Sequence, residues 1–282
     1  MFEIDRLIKL AIDEDIGIKD LTTSSVIDPG IEGKAHVIAK EDMVLAGTDV
    51  FLKVFTFLNP KVKLNKFFKD GDHIGSDDVI AEISCDVVNL LMGERVALNF
   101  LQRLSGIASL THKYVERVKS FNAKVVDTRK TTPGWRTLEK NAVKVGGGMN
   151  HRSGLFDGIL IKDNHIMICG GIRHAVEKAR ANIPHTFKIE VEVKNLDEVR
   201  EALESGVEVI MLDNMNTEEM EKAVQIINKS AIVEASGGIN LSTIKDVAKT
   251  GVDLISIGAL THSARACDIS MNIVEVDSNR AV

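Results

Sequence analysis

The chain has 282 residues, of which 44% are hydrophobic and 27% charged, a composition that indicates a soluble globular protein with a well-buried core. Its formal net charge of −6 argues against general nucleic-acid binding, and no apolar run approaches the ~20 residues that span a membrane. Acids among the first apolar residues argue against a signal peptide, and the three cysteines match no metal or disulfide spacing, so we expect a cytoplasmic protein with reduced thiols.

The first hundred residues combine short strand-like runs with a helix, the pattern of an α+β domain. Strands are predicted at residues 34–40, 43–46, 61–67 and 79–84, and a helix at residues 49–58. A long helical stretch follows from about Asp86 to Ser120, with apolar residues at helical intervals. Gly93 and Gly106 could interrupt or kink it, because glycine weakens a helix interior.

After Lys124 the chain alternates between strands and helices, which predicts a parallel sheet. The predicted strands are residues 124–127, 158–162, 187–193, 208–212, 231–235 and 253–257. The predicted helices are residues 137–145, 171–181, 195–204, 217–229, 240–249 and 259–264. Six such units fall short of an eight-unit barrel, so an incomplete barrel and an open doubly wound sheet are both compatible with the pattern. No GxGxxG follows the first strand, so a dinucleotide-binding sheet has little support.

Charged residues gather where the predicted parallel strands end, which is where both architectures place an active site. The segment 127–166 is the richest part, with basic residues set between short apolar runs. Guanidinium and ammonium groups bind carboxylates and phosphates. We therefore predict a pocket for a substrate that carries several negative charges.

Two glycine-containing strand ends are predicted to bind a phosphate group. Ser236-Gly237-Gly238 and Gly258-Ala259 each follow a predicted strand and precede a predicted helix. Glycine permits close approach of the backbone, and the amides at a helix start favour anions. In barrel enzymes a phosphate commonly lies after the last two strands.

Glu190 and Glu192 alternate with apolar residues, so both carboxylates leave the same face of their strand. That face must point inward if the other face contacts helices, and buried like charges then need compensation. With Asp213 on the next strand, they suit Mg²⁺ coordination through water, ribose binding or stabilisation of a developing positive charge; Glu190 could instead be an ion-pair partner. Lys162, at the end of an apolar strand, also admits the role of a Schiff-base lysine in an aldolase.

Six strings of the sequence closely resemble the quinolinate phosphoribosyltransferase family, in the right order along essentially the whole chain. They are GERVALNFLQRLSGIAS (93–109), DTRKTTPGWRTLEKNAVKVGGGMNHRSGLFDGILIKDNHI (127–166), IEVEV (189–193), MLDN (211–214), EASGGI (234–239) and SIGALTHS (256–263). The resemblance implies an α/β fold with an amino-terminal α/β sandwich domain, residues 1–108, and an incomplete, seven-stranded α/β barrel, residues 109–266. Residues 267–282 are expected to pack back onto the first domain.

The resemblance also implies a reaction. The family transfers the phosphoribosyl group of 5-phosphoribosyl 1-pyrophosphate to quinolinate with decarboxylation, giving nicotinate mononucleotide, pyrophosphate and carbon dioxide for NAD biosynthesis, and uses Mg²⁺. It implies a homodimer with shared active sites, with hexamers in some members, and neither nucleic-acid nor membrane partners. A phosphoribosyltransferase of the same fold that acts on another aromatic acid is the nearest alternative.

The site residues implied by the resemblance fall into four sets. Arg95 resembles an arginine contributed by the partner subunit. The expected quinolinate-binding residues are Arg129, Lys130, His151 and Arg152, with Thr128 beside them. The expected catalytic residues are Lys130, Lys162, Glu192 and Asp213, of which the two acids match residues near the ribose hydroxyls and, through water, the metal. The expected phosphate loops contain Ser236, Gly237, Gly238, Ile257, Gly258 and Ala259.

Overall fold

Helices and strands follow one another along residues 2–277, which are the residues that the structure, a computed structural model, describes. In chain order they are α1 (Phe2–Ile16), α2 (Thr23–Val26), β1 (Glu32–Ala39), β2 (Met43–Val44), α3 (Thr48–Leu58), β3 (Lys63–Lys66), β4 (His73–Ile74), β5 (Val79–Asp86), α4 (Val87–Val118), β6 (Lys124–Val126), α5 (Arg136–Val145), β7 (Ile159–Ile161), α6 (Asp163–Cys169), α7 (Ile172–Asn182), β8 (Ile189–Val193), α8 (Leu196–Glu204), β9 (Val209–Asp213), α9 (Thr217–Ile227), β10 (Ile232–Ser236), α10 (Ile244–Lys249), β11 (Leu254–Ser256), α11 (Ala259–His262) and β12 (Ile269–Val276). Among these helices, none combines the length and the apolar character needed to cross a bilayer.

The residues divide into two units, each with its own internal contacts. Unit 1 contains the described residues up to Leu110, the segment Thr132–Gly146 and the described residues from Ala264 onward. Unit 2 contains Thr111–Thr131 and Gly147–Ser263. The predicted boundary after residue 108 lies close to the first of these divisions.

The segment Thr132–Gly146 lies in unit 1, whereas the sequence analysis placed it in the barrel domain. Its contacts within unit 1 explain the difference. Arg103 Nη2 donates to the fully buried carboxylate of Glu139 at 3.0 Å, and the ring of Trp135 stacks on Phe100 with centroids 4.6 Å apart. These partners are more than thirty positions apart in the chain, so local patterning does not reveal them.

Unit 1 is built on an antiparallel sheet with strand order β12-β1-β5-β3, and β2 and β4 form a separate antiparallel pair. Alternate residues of β1 are buried, as expected for a strand with one face on a hydrophobic core. β12 pairs with β1 from Ala39 opposite Ile269 to Gly33 opposite Val276. The described part of the predicted carboxyl-terminal segment therefore lies in unit 1, and its residues 278–282 lie outside the described residues.

Helix α4 runs without a break, so neither Gly93 nor Gly106 interrupts it, which the sequence had left open. Each glycine lies against another segment of unit 1. A Cβ atom added at Gly93 would lie 2.7 Å from the ring of Phe55, and one added at Gly106 would lie 1.9 Å from the carbonyl oxygen of Arg265. The glycines therefore allow close packing against the helix, and their cost to helix propensity is outweighed by the remaining contacts.

Unit 2 contains the predicted parallel sheet, whose six strands have the order β6-β11-β10-β9-β8-β7. An isolated parallel bridge between Val126 and Met149 adds a seventh position beside β6. Within residues 2–277 no strand pairing joins this position to β7, so the sheet does not close. The predicted fold class, with a small α/β domain and an incomplete α/β barrel, is confirmed.

Replacing Gly106 with alanine tests the packing of α4. Helix propensity alone would make this change stabilising by about 1 kcal/mol. The added Cβ, however, would meet the backbone oxygen of Arg265, which cannot rotate away as a side chain can. We expect Gly106→Ala to lower the free energy of unfolding in urea by about 2 kcal/mol or more. Gly75→Ala is the control, because its nearest neighbour is the Asp78 carboxylate at 3.3 Å; stability of Gly106→Ala equal to the parent would contradict the packing.

Candidate active site

A cavity of about 770 Å³ opens at the carboxyl ends of the parallel strands of unit 2, where the sequence analysis predicted the site. The predicted site residues that line it are Thr128, Arg129, Lys130, His151, Arg152, Lys162, Glu192, Asp213, Ser236, Gly237, Gly238, Ile257, Gly258 and Ala259. Arg95 belongs to unit 1 and is not among the residues that line this cavity. The strand ends of unit 2 thus bring together every predicted site residue that this unit contains.

Asp127 holds the loop that carries His151 against the cavity. This fully buried carboxylate follows β6 directly. Its Oδ1 accepts a hydrogen bond from the backbone N–H of His151 at 2.8 Å, and its Oδ2 accepts one from Nδ2 of Asn150 at 2.6 Å. Hydrogen bonds to an ionised acceptor are among the stronger ones in proteins. The residue after β6 therefore holds the loop that contains His151 in place. The cationic residues 129–130 follow it closely in the chain.

Both ring nitrogens of His151 are engaged within the protein. Nδ1 accepts a hydrogen bond from the backbone N–H of Arg152 at 2.8 Å, and Nε2 lies 3.1 Å from Glu190 Oε2 and 3.7 Å from Glu234 Oε2. Burial lowers the pKa of His151, but the hydrogen bond to Glu190 and the charge of Glu234 outweigh burial and raise the pKa overall. The raised pKa favours the protonated ring, whereas the hydrogen bond from Arg152 requires an unprotonated Nδ1. The geometry present is therefore that of a neutral ring with its proton on Nε2.

Arg152 lies in a crowded group of charges. Its Nη1 donates to the carbonyl oxygen of Gly158 at 2.8 Å. Burial lowers the pKa of Arg152, the positive charge of Arg129 lowers it further, and the negative charge of Glu190 counteracts both. An incoming carboxylate would relieve the repulsion between the two guanidinium groups, so this part of the cavity suits an anion.

Lys162 and Glu192 form an ion pair across the ends of β7 and β8, in which Nζ of the lysine donates to Oε2 of the glutamate. Asp213 ends β9 and lines the same cavity, so the acids predicted to lie together do so. Helix α6 begins directly after Lys162 and was not predicted. It is capped by His165, whose Nδ1 accepts a hydrogen bond from the backbone N–H of Lys162 at 3.0 Å. Two carboxylates and one ammonium group therefore face the cavity from three strand ends.

Two further acids are buried at this site, Glu190 on β8 and Glu234 on β10, which are 7% and 1% exposed. Glu234 is among the residues that line the cavity. Among the described residues, the Oε1 atoms of both acids are buried without a hydrogen-bond partner. Burial raises the pKa of Glu234 to about 7, and the charge of Glu190 contributes to the rise. Glu234 was not among the predicted site residues. The signal that could have found it is Ser236, a predicted cavity residue two positions later and hence on the same face of the strand.

The backbone of the loop Ser236–Gly238 packs closely against Asn214. Gly237 has φ +96°, and a Cβ atom there would lie 2.3 Å from Oδ1 of Asn214, whose backbone N–H donates to the Ser236 carbonyl at 2.9 Å. Glycine is therefore required at this position. Helix α10 begins at Ile244, later than predicted, so this loop does not lead directly into a helix start. Of the two predicted phosphate loops, it is the one at Gly258 that leads directly into a helix, because Gly258 immediately precedes α11.

The raised pKa of Glu234 predicts a pH-dependent stability. The native state retains this proton up to about pH 7, whereas the unfolded chain loses it near 4.5. The stabilisation is thus present below pH 4.5 and declines as the pH rises through 7. Glu234→Gln, which cannot ionise, should gain stability relative to the parent between pH 5 and pH 8 in urea denaturation. Glu221→Gln, at an exposed position of α9, is the control; a stability difference between Glu234→Gln and the parent that does not change with pH would refute the assignment.

Comparison with known proteins agrees with this geometry. Two family models match the chain. The model described as "Quinolinate phosphoribosyl transferase, N-terminal domain" matches residues 20–105, and the model described as "Quinolinate phosphoribosyl transferase, C-terminal domain" matches residues 107–272. The chain is similar to the probable nicotinate-nucleotide pyrophosphorylase [carboxylating] of Bacillus subtilis (strain 168), with 44% identity over 260 residues that cover 92% of this chain and 90% of that protein. It is also similar to the protein of the same name from Methanocaldococcus jannaschii, with 44% identity over 95% of this chain and 96% of that protein.

Solved structures show the same likeness. The crystal structure of NadC from Streptococcus pyogenes has a TM-score of 0.94 and 46% identity, with 98% of both chains covered. The nicotinate-nucleotide pyrophosphorylase from Francisella tularensis has a TM-score of 0.93 and 39% identity, covering 97% of this chain and 96% of that one. The family resemblance expected from the sequence is confirmed along nearly the whole length. The chain belongs to the quinolinate phosphoribosyltransferase family.

Proposed function

We propose that this chain transfers the phosphoribosyl group of 5-phosphoribosyl 1-pyrophosphate to quinolinate, with decarboxylation, and so makes nicotinate mononucleotide for NAD biosynthesis in the cytoplasm. The observation that carries the proposal is the make-up of the unit 2 cavity. Cations from the ends of β6 and β7 and from the loop after Met149 face acids from the ends of β8 and β9, beside a glycine loop. Two substrates that both carry several negative charges, joined through a sugar that becomes positive, require that combination.

Quinolinate carries two carboxylates on a pyridine ring, and we assign their binding to the guanidinium groups of Arg129 and Arg152. Both line the cavity, and their mutual repulsion is relieved by an anion. Lys130 adds a third cation from the same strand end. His151 was expected to bind quinolinate directly, but its two ring nitrogens already have partners. We therefore give the direct contacts to the arginines.

The transfer step needs stabilisation of positive charge at the sugar. The pyridine nitrogen donates its electron pair to the anomeric carbon, and the bond to the pyrophosphate oxygen breaks with its electrons on the leaving group. Glu192 and Asp213 line the cavity and can stabilise the oxocarbenium character that develops between these events. The ammonium group of Lys162 is held beside Glu192, where it can interact with the leaving pyrophosphate.

Mg²⁺ is the proposed cofactor, and the donor atoms in the cavity fit it. Mg²⁺ prefers oxygen ligands and commonly keeps several waters while binding one or two carboxylates and substrate phosphates. Glu192 and Asp213 supply such carboxylates, and the cavity has room for water. These two residues would hold the ion through water, and when bound it would neutralise charge on the pyrophosphate.

Decarboxylation follows on the quaternised ring. The carbon–carbon bond to the 2-carboxylate breaks, carbon dioxide leaves, and the electron pair remains on the ring carbon, where the positive nitrogen stabilises it. A proton then completes the product. The protein's part is to orient the carboxylate, here through the arginines, and to limit the access of water.

The aldolase alternative for Lys162 is not favoured by its surroundings. A Schiff-base lysine must attack as the neutral amine. In this structure the ammonium group is ion-paired with Glu192. The same lysine fits a role in binding anionic groups.

Arg129→Ala tests the carboxylate assignment. Removal of a charged hydrogen-bond partner should raise the KM for quinolinate roughly tenfold to a hundredfold and leave thermal stability close to that of the parent. Arg117→Ala, an exposed position near the end of α4, is the matched control and should behave as the parent. Unchanged use of quinolinate by Arg129→Ala would remove this residue from the site.

The proposed homodimer with shared active sites is tested by mixing subunits. Arg95→Ala and Lys162→Ala chains with different affinity tags are expressed together, and mixed dimers are isolated. If Arg95 serves the partner's site, one of the two sites in each mixed dimer keeps both residues, so about half of the parent activity should return. Dimers of either variant alone should be inactive. Verified mixed dimers without activity would show that Arg95 and Lys162 serve the same chain.

A further inference from the structure

We propose that Glu190 and Glu234 are positioning residues, which hold the ring of His151 and through it Arg152 in the place where quinolinate binds. This inference rests on the proposed function and adds to it a role for two buried acids. His151 links the acids to the arginine.

The ring of His151 is oriented from both sides. Its own backbone is tied to the end of β6 by Asp127, and Nδ1 accepts the backbone N–H of Arg152. A neutral imidazole has a single proton, which must then be on Nε2. That nitrogen points at Glu190, with an Nε2–Oε2 distance of 3.1 Å, so the carboxylate accepts the hydrogen bond that fixes the tautomer.

Glu234 lies near the same ring nitrogen as Glu190. It comes from β10, two strands away in the sheet, and its Oε2 lies 3.7 Å from the same Nε2. One N–H cannot satisfy two carboxylates, and within residues 2–277 the buried Oε1 atoms of both acids have no hydrogen-bond partner. Such groups are costly and uncommon in native proteins, and a stability argument alone would favour apolar residues in their place. A role in arranging the site accounts for their presence.

A metal ion is the main competing explanation for this cluster. One ligand atom from each of His151, Glu190 and Glu234 lies within 4.8 Å of the others, which is a possible metal-binding group. A metal would need the lone pair of Nε2, however. Because Nδ1 accepts a hydrogen bond from Arg152, a neutral ring carries its proton on Nε2, and that lone pair is not available. In metal sites the second ring nitrogen is normally a donor. The arrangement therefore favours hydrogen bonding to the acids.

Glu190 also acts on Arg152. Its backbone N–H is held by the His151 ring, and its guanidinium is held by the carbonyl oxygen of Gly158. The negative charge of Glu190 offsets part of the repulsion that Arg129 exerts on this guanidinium. Loss of Glu190 would release the ring, weaken the hold on the Arg152 backbone and increase the repulsion between the two arginines. All three effects should weaken binding of quinolinate more than binding of the other substrate.

Steady-state kinetics with the holoenzyme and Mg²⁺ separate positioning from general structure. Glu190→Ala should raise the KM for quinolinate about tenfold or more and change the KM for 5-phosphoribosyl 1-pyrophosphate by less than about twofold. Glu190→Gln keeps an oxygen that accepts the Nε2–H, so it should restore most of the affinity. The control is Glu82→Ala, which removes the carboxylate from another histidine–glutamate pair, with His36, at 3.4 Å in unit 1. Equal effects of Glu190→Ala and Glu190→Gln, or parallel changes in both KM values, would overturn the proposal.

The ring state of His151 provides a second test that does not depend on activity. In histidine-labelled protein, long-range ¹⁵N–¹H spectra should show the proton of His151 on Nε2, with assignment by His151→Gln. The parent, Glu190→Gln and Glu234→Gln should keep this tautomer, and Glu190→Ala should lose it. A proton on Nδ1 in the parent would overturn the proposal. A shift of the His151 signals on addition of Zn²⁺ alone, abolished by Glu234→Gln, would show metal binding and would overturn it as well. If the parent does not use quinolinate, the proposed function fails, while the spectra still decide whether the acids orient the ring.

Discussion

Four carboxylates from β8, β9 and β10 lie at the unit 2 cavity or next to it, and those that are buried must be compensated within the protein. Glu190 and Glu234 are nearly inaccessible, and Glu192 is ion-paired with Lys162. An uncompensated buried carboxylate costs several kcal/mol, which is comparable to the net stability of a whole domain. The cations around the cavity are therefore part of what allows these strands to carry acids on their inner face. The same cations are then in place for anionic substrates.

The alternation of the strands divides the acids by function. In β8 the apolar residues Ile189, Val191 and Val193 are fully buried, while the two glutamates between them point to the inner face. The deeper acid orients His151, and the one nearer the strand end lines the cavity. One strand can thus contribute both to the arrangement of the quinolinate site and to the charge that acts on the sugar. A shift of one residue in its register would move both acids to the helix-facing side.

Much of this organisation is predictable from local patterns. All six strands of the parallel sheet were predicted within about two residues of their observed ends, because short apolar runs separated by helices leave a clear signal. The strand ends in turn located most of the cavity residues of unit 2, whereas His151 and Arg152 were expected only from the family resemblance. What could not be predicted depends on contacts between distant segments. The place of Thr132–Gly146 in unit 1 and the role of Gly106 both follow from such partners. Glu234 was missed because attention to strand ends overlooks an acid inside an apolar strand.

The most direct test of the account is the stoichiometry of the products. Purified protein is mixed with quinolinate and 5-phosphoribosyl 1-pyrophosphate, with Mg²⁺ or with a chelator, and carbon dioxide and pyrophosphate are measured together. The account predicts that both are released in equal amounts, that release depends on Mg²⁺, and that nicotinate in place of quinolinate gives neither product at a comparable rate. Pyrophosphate release with nicotinate as readily as with quinolinate, or no release of either product from quinolinate, would contradict it.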